Sequence, residues 1–313
     1  MTQRTLVCGS LAFDTIMVFP DRFARHILPD QTHMLSVSFL VGEMRREFGG
    51  CAGNIAYNLR AIGGNPVIMA TLGQDGGPYR ERIDKLGLGS AGVRTVEETY
   101  TAQAFIITDL DDNQITAFHP GAMNESHRNR VGDVPNVGLG IVAPDGKQGM
   151  RDHLAQFAQS GIPVLFDPGQ GLPLFDAAEL TEMIAQATYL AVNDYEGKLL
   201  SERTGLPLAA IAERVDALVV TQGAQGSTIH AKGHAYRIPA VRPTVEVDPT
   251  GCGDAYRAGL LHGIAEGWDW QRTGQLASVL GSVKIASRGG QNHDARRERI
   301  AALYSDAFGE SLW

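Results

Sequence analysis

The chain runs through Asp248-Pro249-Thr250-Gly251-Cys252-Gly253-Asp254 straight into the apolar stretch AYRAGLLHGIAEG. A glycine-rich turn that opens a helix leaves the first N–H groups without intrahelical partners, and such groups favour anions. Gly251 and Gly253 let the backbone curl towards a ligand with no Cβ in the way. Successive N–H groups from 251 to 254 can then converge on an oxyanion. Asp254 lies in the first turn, where a carboxylate suits a different task, accepting a proton. Anion cradle plus base is the layout for moving a phosphoryl group onto a hydroxyl. The same residues also fit an ordinary capped helix behind a tight turn, because Asp is a common cap.

Three further clusters have the same double character. Phe48-Gly49-Gly50-Cys51-Ala52-Gly53-Asn54 places paired glycines before a helix. Asn54 in that first turn can donate and accept towards a polyol, or simply end a turn. Asn193-Asp194-Tyr195-Glu196 follows the apolar run YLAV. Strand C-terminal ends face the ligand crevice in open α/β sheets. An amide and a carboxylate three apart share one face of a helical turn and suit Mg²⁺ held through water. They equally suit a capping box. Thr221-Gln222-Gly223-Ala224-Gln225-Gly226 ends another apolar run. Small residues there admit nucleotide phosphate or ribose, or make a plain glycine turn into STIHA.

The elements that must position these clusters show two rhythms. RTLVCGS reads as a buried first strand, while residues 14–20 and 35–41 alternate as half-exposed strands. Residues 53–64 have helical spacing, PVIMATLG is a strand and GPYRERIDKLG a helix. Residues 102–121 read as a hairpin around Asp111-Asp112-Asn113. After residue 138 strands and helices alternate, which implies a parallel sheet covered on both faces. Long helices are expected at about 252–266 and 270–287. The strands left over, 14–19, 35–41 and 103–119, form either a small separate sheet or an extension of the main one. A separate sheet makes a lid of about 14–47 and 99–120 on one 1–313 domain. The segment 121–137, rich in Asn, Gly, Arg and Asp, is the best candidate for a mobile connection.

Composition narrows the class. With 313 residues, 43% apolar, the chain can bury a large core. Its formal charge of -8 argues against nucleic-acid and membrane-surface partners. No run approaches the ~20 apolar residues of a membrane span. Asp14 interrupts the N-terminal apolar run and no small-residue cleavage site follows, so a signal peptide is a poor reading. Cys8, Cys51 and Cys252 fit no disulfide framework or zinc spacing, which points to a reducing cytoplasm. Gly87-Leu88-Gly89-Ser90-Ala91-Gly92 matches G-x-G-x-x-G but follows a charged helix, so it reads as a loop. Gly138 to Ala143 fits the looser form inside a strand. The chain contains no G-x-x-x-x-G-K-[ST], which excludes a P-loop kinase.

Taken in order, these clusters resemble the PfkB/ribokinase family of carbohydrate and nucleoside kinases. The resemblance spans Gly9-Ser10 to Asn292 and is carried by GGCAGNIAYNLRAIG (49–63) and DPTGCGDAYRAG (248–259). It implies a ribokinase-like three-layer α/β/α core, a mostly parallel sheet and a small β-sheet lid. It implies Asp254 as catalytic base, with the amides of Gly251, Cys252 and Gly253 in the anion hole. Cys252 departs from the usual Ala, and a small thiol should fit. The resemblance further assigns Ser10, Asp14, Gly49, Gly50 and Asn54 to the acceptor. Asn193 and Glu196 belong with phosphate and Mg²⁺, and Thr221, Gly223 and Gly226 with ATP. Gln291 and Asn292 are expected beside the nucleotide.

Phe118-His119-Pro120-Gly121-Ala122-Met123 and Gly289-Gly290-Gln291-Asn292-His293 look closest to adenosine and broad nucleoside kinases within that family. Phe13, Phe118 and Met123 offer apolar surfaces to sandwich a purine, or plain lid packing. The expected reaction is ATP-dependent phosphorylation of a nucleoside 5′-hydroxyl, adenosine first. Inosine, guanosine or cytidine, a free sugar such as ribose or fructose, and a silent nucleoside-binding protein are the rivals. A monovalent cation, K⁺, near 248–250 and 287–290 and a homodimer paired through lid sheets are left open.

Overall fold

The computed structural model describes residues 3–27, 37–111 and 113–313. Its frame is a nine-stranded sheet. In chain order that sheet takes β1 (Arg4–Cys8), then, after two strands of a second sheet, β4 (Pro66–Gly73) and β5 (Gly89–Val96). The second sheet holds β2 (Ala12–Val18), β3 (Glu43–Gly49), β6 (Ala102–Thr108) and β7 (Gln114–His119). The large sheet continues with β8 (Val137–Val142), β9 (Val164–Phe166), β10 (Tyr189–Asn193), β11 (Ala217–Thr221), β12 (Ser227–Ala231) and β13 (His234–Ile238). Its order is β13-β12-β11-β10-β9-β8-β1-β4-β5, parallel from β11 to β5, with β12 and β13 antiparallel at one edge.

The inner strands β1, β4, β8, β9, β10 and β11 read as largely apolar runs because both faces are buried, whereas the edge strands β5 and β13 are mixed. Val7, Ile68, Ile141 and Val219 turn to one core; their neighbours Leu6, Val67, Val142 and Val220 turn to the other. The first core is roofed by α1 (Cys51–Ala61), α2 (Gly77–Lys85), α7 (Cys252–Ala265), α8 (Trp270–Ile285) and α9 (Arg297–Phe308). The second is roofed by α3 (Lys147–Ser160), α4 (Ala177–Gln186), α5 (Asp194–Thr204) and α6 (Leu208–Ala212). This is a ribokinase-like α/β/α sandwich.

The small sheet is separate, in the order β3-β2-β6-β7. Three expectations need correction. The strand expected at 35–41 is not there: residues 35 and 36 lie outside the described residues, 37–41 are irregular, and β2 pairs with Glu43–Gly49 instead. The apolar alternation of LSVSFLV mimics a strand, whereas the partner of β2 is the charged EMRREFG. The Gly87–Gly92 loop is in fact the start of β5 from Gly89 onwards, paired with β4. The segment 121–137 is packed rather than loose. Its short 3₁₀ helices bury Ala122, Ser126 and Val131, and Asn129 Nδ2 donates to Ala70 O at 2.9 Å. At the hairpin tip Asp109 accepts from the amides of Asp111 and Asn113, while Asp112 lies outside the described residues.

Candidate active site

The candidate residues gather at the C-terminal ends of the parallel strands, where open α/β sheets bind ligands. Ser10 follows β1, Asp167 follows β9, Asn193 ends β10 and Thr221 ends β11. Helices α1 and α7 bring their first turns together above this edge. Gly251 caps α7 with φ of 80°, a left-handed conformation that glycine adopts without strain. That turn aims the helix start at the crevice and puts Asp254 in its first turn.

Asp254 Oδ2 accepts a hydrogen bond from Asn54 Nδ2 at 2.8 Å. Asn54 Oδ1 in turn accepts from Gln291 Nε2 at 3.2 Å. Gln291 Nε2 also donates to the Tyr79 hydroxyl at 2.7 Å, and that hydroxyl donates to Gly49 O at 2.6 Å. Arg82 holds Gln291 from α2, through Oε1 at 3.2 Å and the main-chain O at 2.7 Å. The amide of Asn54 is therefore fixed with its NH₂ towards the carboxylate. Burial pushes the Asp254 pKa up to about 6; the Asn54 hydrogen bond and the Arg257 charge act against it, and the Asp167 charge adds to it.

Arg257 and Asp167 were not anticipated. Arg257 lies one turn beyond Asp254 and makes a buried two-pronged pair with Asp167, Nε to Oδ2 at 3.1 Å and Nη2 to Oδ1 at 3.2 Å. Planar guanidinium suits that geometry. The signal was present: Arg257 sits inside the diagnostic DPTGCGDAYRAG, and Asp167 ends a strand in FDPG.

Asp14 on β2 is pushed up to about 6 as well, by burial first and then by the charges of Asp248 and Glu47. Register decides what shares its face. Asp14 aligns with Glu47, Ala104 and Phe118, whereas Phe13 aligns with Phe48, Gln103 and His119. Cross-strand partners point the same way, so Phe13 and Phe118 stand on opposite faces and cannot sandwich one ring. Phe13 is buried against Phe48 and Tyr79 with the Arg46 guanidinium 3.7 Å above its ring. Phe118 is 50% exposed, and Met123 lies half-buried in the 3₁₀ helix beyond β7.

Several expected ligand groups have partners within the protein. Ser10 Oγ accepts from Cys51 N at 3.2 Å and so caps α1, with Gly50 as the N-cap residue. Asn193 and Glu196 form a capping box on α5, each side chain meeting the other's backbone N–H at 2.7 Å. Burial raises the Glu196 pKa, with Arg257 pulling it back. Thr221 Oγ1 reaches Val192 O at 3.5 Å. Gly226 has φ of 88°, and a Cβ there would lie 2.1 Å from Ile238 O, so packing of the β12–β13 edge demands it; Gly223 is exposed. Gln291 is consumed by the network around Asn54, and Asn292 Nδ2 donates to Glu47 Oε2 at 2.7 Å, joining the 288–292 loop to the small sheet. Gln291 is buried among protein groups, whereas Asn292 is exposed at the edge of the small sheet.

A left-handed glycine turn at the start of α7, a carboxylate in its first turn held by Asn54, and a separate small sheet beside the large one are the features of a small-molecule kinase of the ribokinase-like class. The pfkB family carbohydrate kinase model matches residues 12–296. The chain belongs to that family, whose members are phosphotransferases with an alcohol group as acceptor. It is 32% identical over 261 residues to a nucleoside kinase of Methanocaldococcus jannaschii, covering 82% of this chain and 85% of the relative. The structure of Burkholderia thailandensis nucleoside kinase in complex with inosine superposes with a TM-score of 0.90 and 53% identity, over 98% of this chain and 99% of that one. The ADP-inosine complex of the same enzyme gives 0.87 and 55%, over 98% and 97%.

Proposed function

We propose that the enzyme transfers the γ-phosphoryl group of ATP to the 5′-hydroxyl of a purine nucleoside. The observation that carries this reading is the 2.8 Å bond between Asn54 and Asp254, which holds a half-buried carboxylate at the glycine-rich start of α7. Adenosine remains the expected acceptor. Inosine is the second reading, favoured by the similar kinase that binds it.

We assign the ribose hydroxyls to Asp14, which stands on the small sheet close enough to Asp248 for that charge to help raise its pKa. Asn54, expected beside it, is committed to the base in this structure. Phe118, on the face of Asp14, offers the flat apolar surface for the base. The nucleoside O5′ attacks the γ-phosphorus as its proton passes to Asp254, and ADP leaves. The amides of Gly251, Gly253 and Asp254 meet the charge that spreads over the phosphoryl oxygens, while that of Cys252, expected among them, donates to Pro249 O at 3.1 Å in this structure. The small sheet acts as a lid of about 14–47 and 99–120 that keeps water from the reacting group.

Among the described residues no cluster of three or more His, Cys, Asp or Glu forms a metal cage. That suits Mg²⁺, which favours one or two carboxylates, water and substrate phosphates. Glu196 would hold it through water, beside Asn193 and near Asp167. When bound it neutralises phosphate charge. A homodimer draws support from the outer face of the small sheet, where Met44, Phe105 and Ile115 are exposed. No described helix is long and apolar enough to cross a membrane, in keeping with the cytoplasmic reading.

The test is ADP production over adenosine, inosine, guanosine, cytidine, ribose and fructose 6-phosphate. Turnover of a purine nucleoside above both sugars is expected. Activity on a sugar with none on nucleosides would overturn the reading, and tight nucleoside binding without ADP would favour a silent binding protein.

A further inference from the structure

Lys284 lies in the last turn of α8 and is fully buried. A buried ammonium is costly unless polar groups surround it. No carboxylate forms an ion pair with it among the described residues. Its Nζ instead donates to two main-chain carbonyls, Asp248 O and Ser287 O, each at 2.9 Å. The Asp248 carboxylate stands behind them, accepting from Thr250 N at 2.9 Å and Gly289 N at 2.8 Å. Val247 N and Asp248 N both donate to Ile285 O, which locks the two segments together. Converging carbonyl oxygens backed by one carboxylate are the surroundings of a dehydrated monovalent cation.

These are the segments, 248–250 and 287–290, where the family resemblance leaves room for K⁺. The residues present do not fit an added ion. A second positive charge would have to share carbonyls that already accept from an ammonium 2.9 Å away. We propose that the Lys284 ammonium is the built-in monovalent cation of this enzyme, and that it replaces an exchangeable one. Its stem runs beneath the cradle: a Cβ on Gly251 would lie 3.6 Å from Lys284 Cε. The ammonium fixes the Asp248 carbonyl, hence the turn that leads into the start of α7, and sets a positive charge behind the transferred phosphoryl group.

The inference rests on kinase activity, not on which nucleoside is preferred. The test measures turnover of the best nucleoside with MgATP in choline chloride, NaCl and KCl at equal ionic strength. With screening matched, wild-type rates agree within about twofold. Lys284→Ala loses about tenfold or more in choline chloride, because a charge near the developing phosphoryl charge is gone, and recovers in part with NH₄⁺ or K⁺. Stimulation of the wild type by K⁺ well beyond twofold overturns the proposal. So does a Lys284→Ala protein that is folded and impaired yet gains nothing from either ion, which would make Lys284 a structural staple alone. If the Ala variant does not fold, Lys284→Met takes its place under the same criteria. Should no nucleoside be turned over, thermal melting decides independently: equal Tm in KCl and choline chloride is expected for the wild type, and a rise specific to K⁺ overturns the assignment.

Discussion

The two acidic groups of the site stand in contrasting surroundings. Asp254 is tied to the core: Asn54, Gln291, Tyr79 and Arg82 hold it through a chain of hydrogen bonds, and the buried Arg257–Asp167 pair acts on it through charge. Asp14 belongs to the small sheet, whose outermost strand β7 is exposed throughout and whose contact with the 288–292 loop includes the exposed Asn292–Glu47 bond. Both carboxyls are pushed up to about 6, chiefly by burial. The two surroundings differ in how tightly they hold the carboxyl. In the proposed reaction, chemistry falls to helix starts tied into buried hydrogen bonds, and acceptor choice to a small sheet with an exposed outer strand.

The largest effect should come from the base itself. Asp254→Asn is expected to lower kcat by roughly 10²–10⁴-fold, read by ADP release at saturating substrate. Next comes the core brace: Arg257→Met leaves Asp167 buried without its partner, a loss of about 3–5 kcal/mol, read by urea unfolding. If stability is unchanged, the pair is not the rigid element this contrast requires. Gln291→Leu frees the Asn54 amide to rotate and strands buried polar groups, so kcat should fall about tenfold while KM moves little, since each partner left unsatisfied costs about 1–3 kcal/mol. On the lighter side, Phe118→Ala should raise the nucleoside KM roughly 3–10-fold, the scale of one aromatic stacking contact, and leave kcat nearly intact. A fall in kcat instead would erase the division between the two regions.

How much of this was legible in the sequence follows from how local each signal is. The 248–254 turn announces itself because glycine geometry and a helix start are short-range properties. The Asp167–Arg257 pair does not, because its partners are 90 residues apart and meet only when β9 and α7 pack. Residues 193–196 fitted both a cation site and a capping box, and the box is what the backbone forms. Gln291 sits in the expected neighbourhood, yet whether it turned inward or towards nucleotide depended on Tyr79 and Arg82 of a different helix. Phe13 and Phe118 went to opposite faces because strand side chains alternate, so one step of register decides the matter. Lys284 was invisible, since a lysine late in a helix is ordinarily an exposed cap.

In the proposed mechanism Asp254 accepts the proton while Asn54 holds its carboxylate. The pH profile of kcat for the wild type beside Asp254→Asn tests it most directly. The wild-type rate is expected to fall as pH drops through about 6, where the carboxylate is protonated and can no longer accept, and the low rate of the variant to lack that limb. A variant with near-normal turnover, or one that keeps the same acid limb, would contradict it.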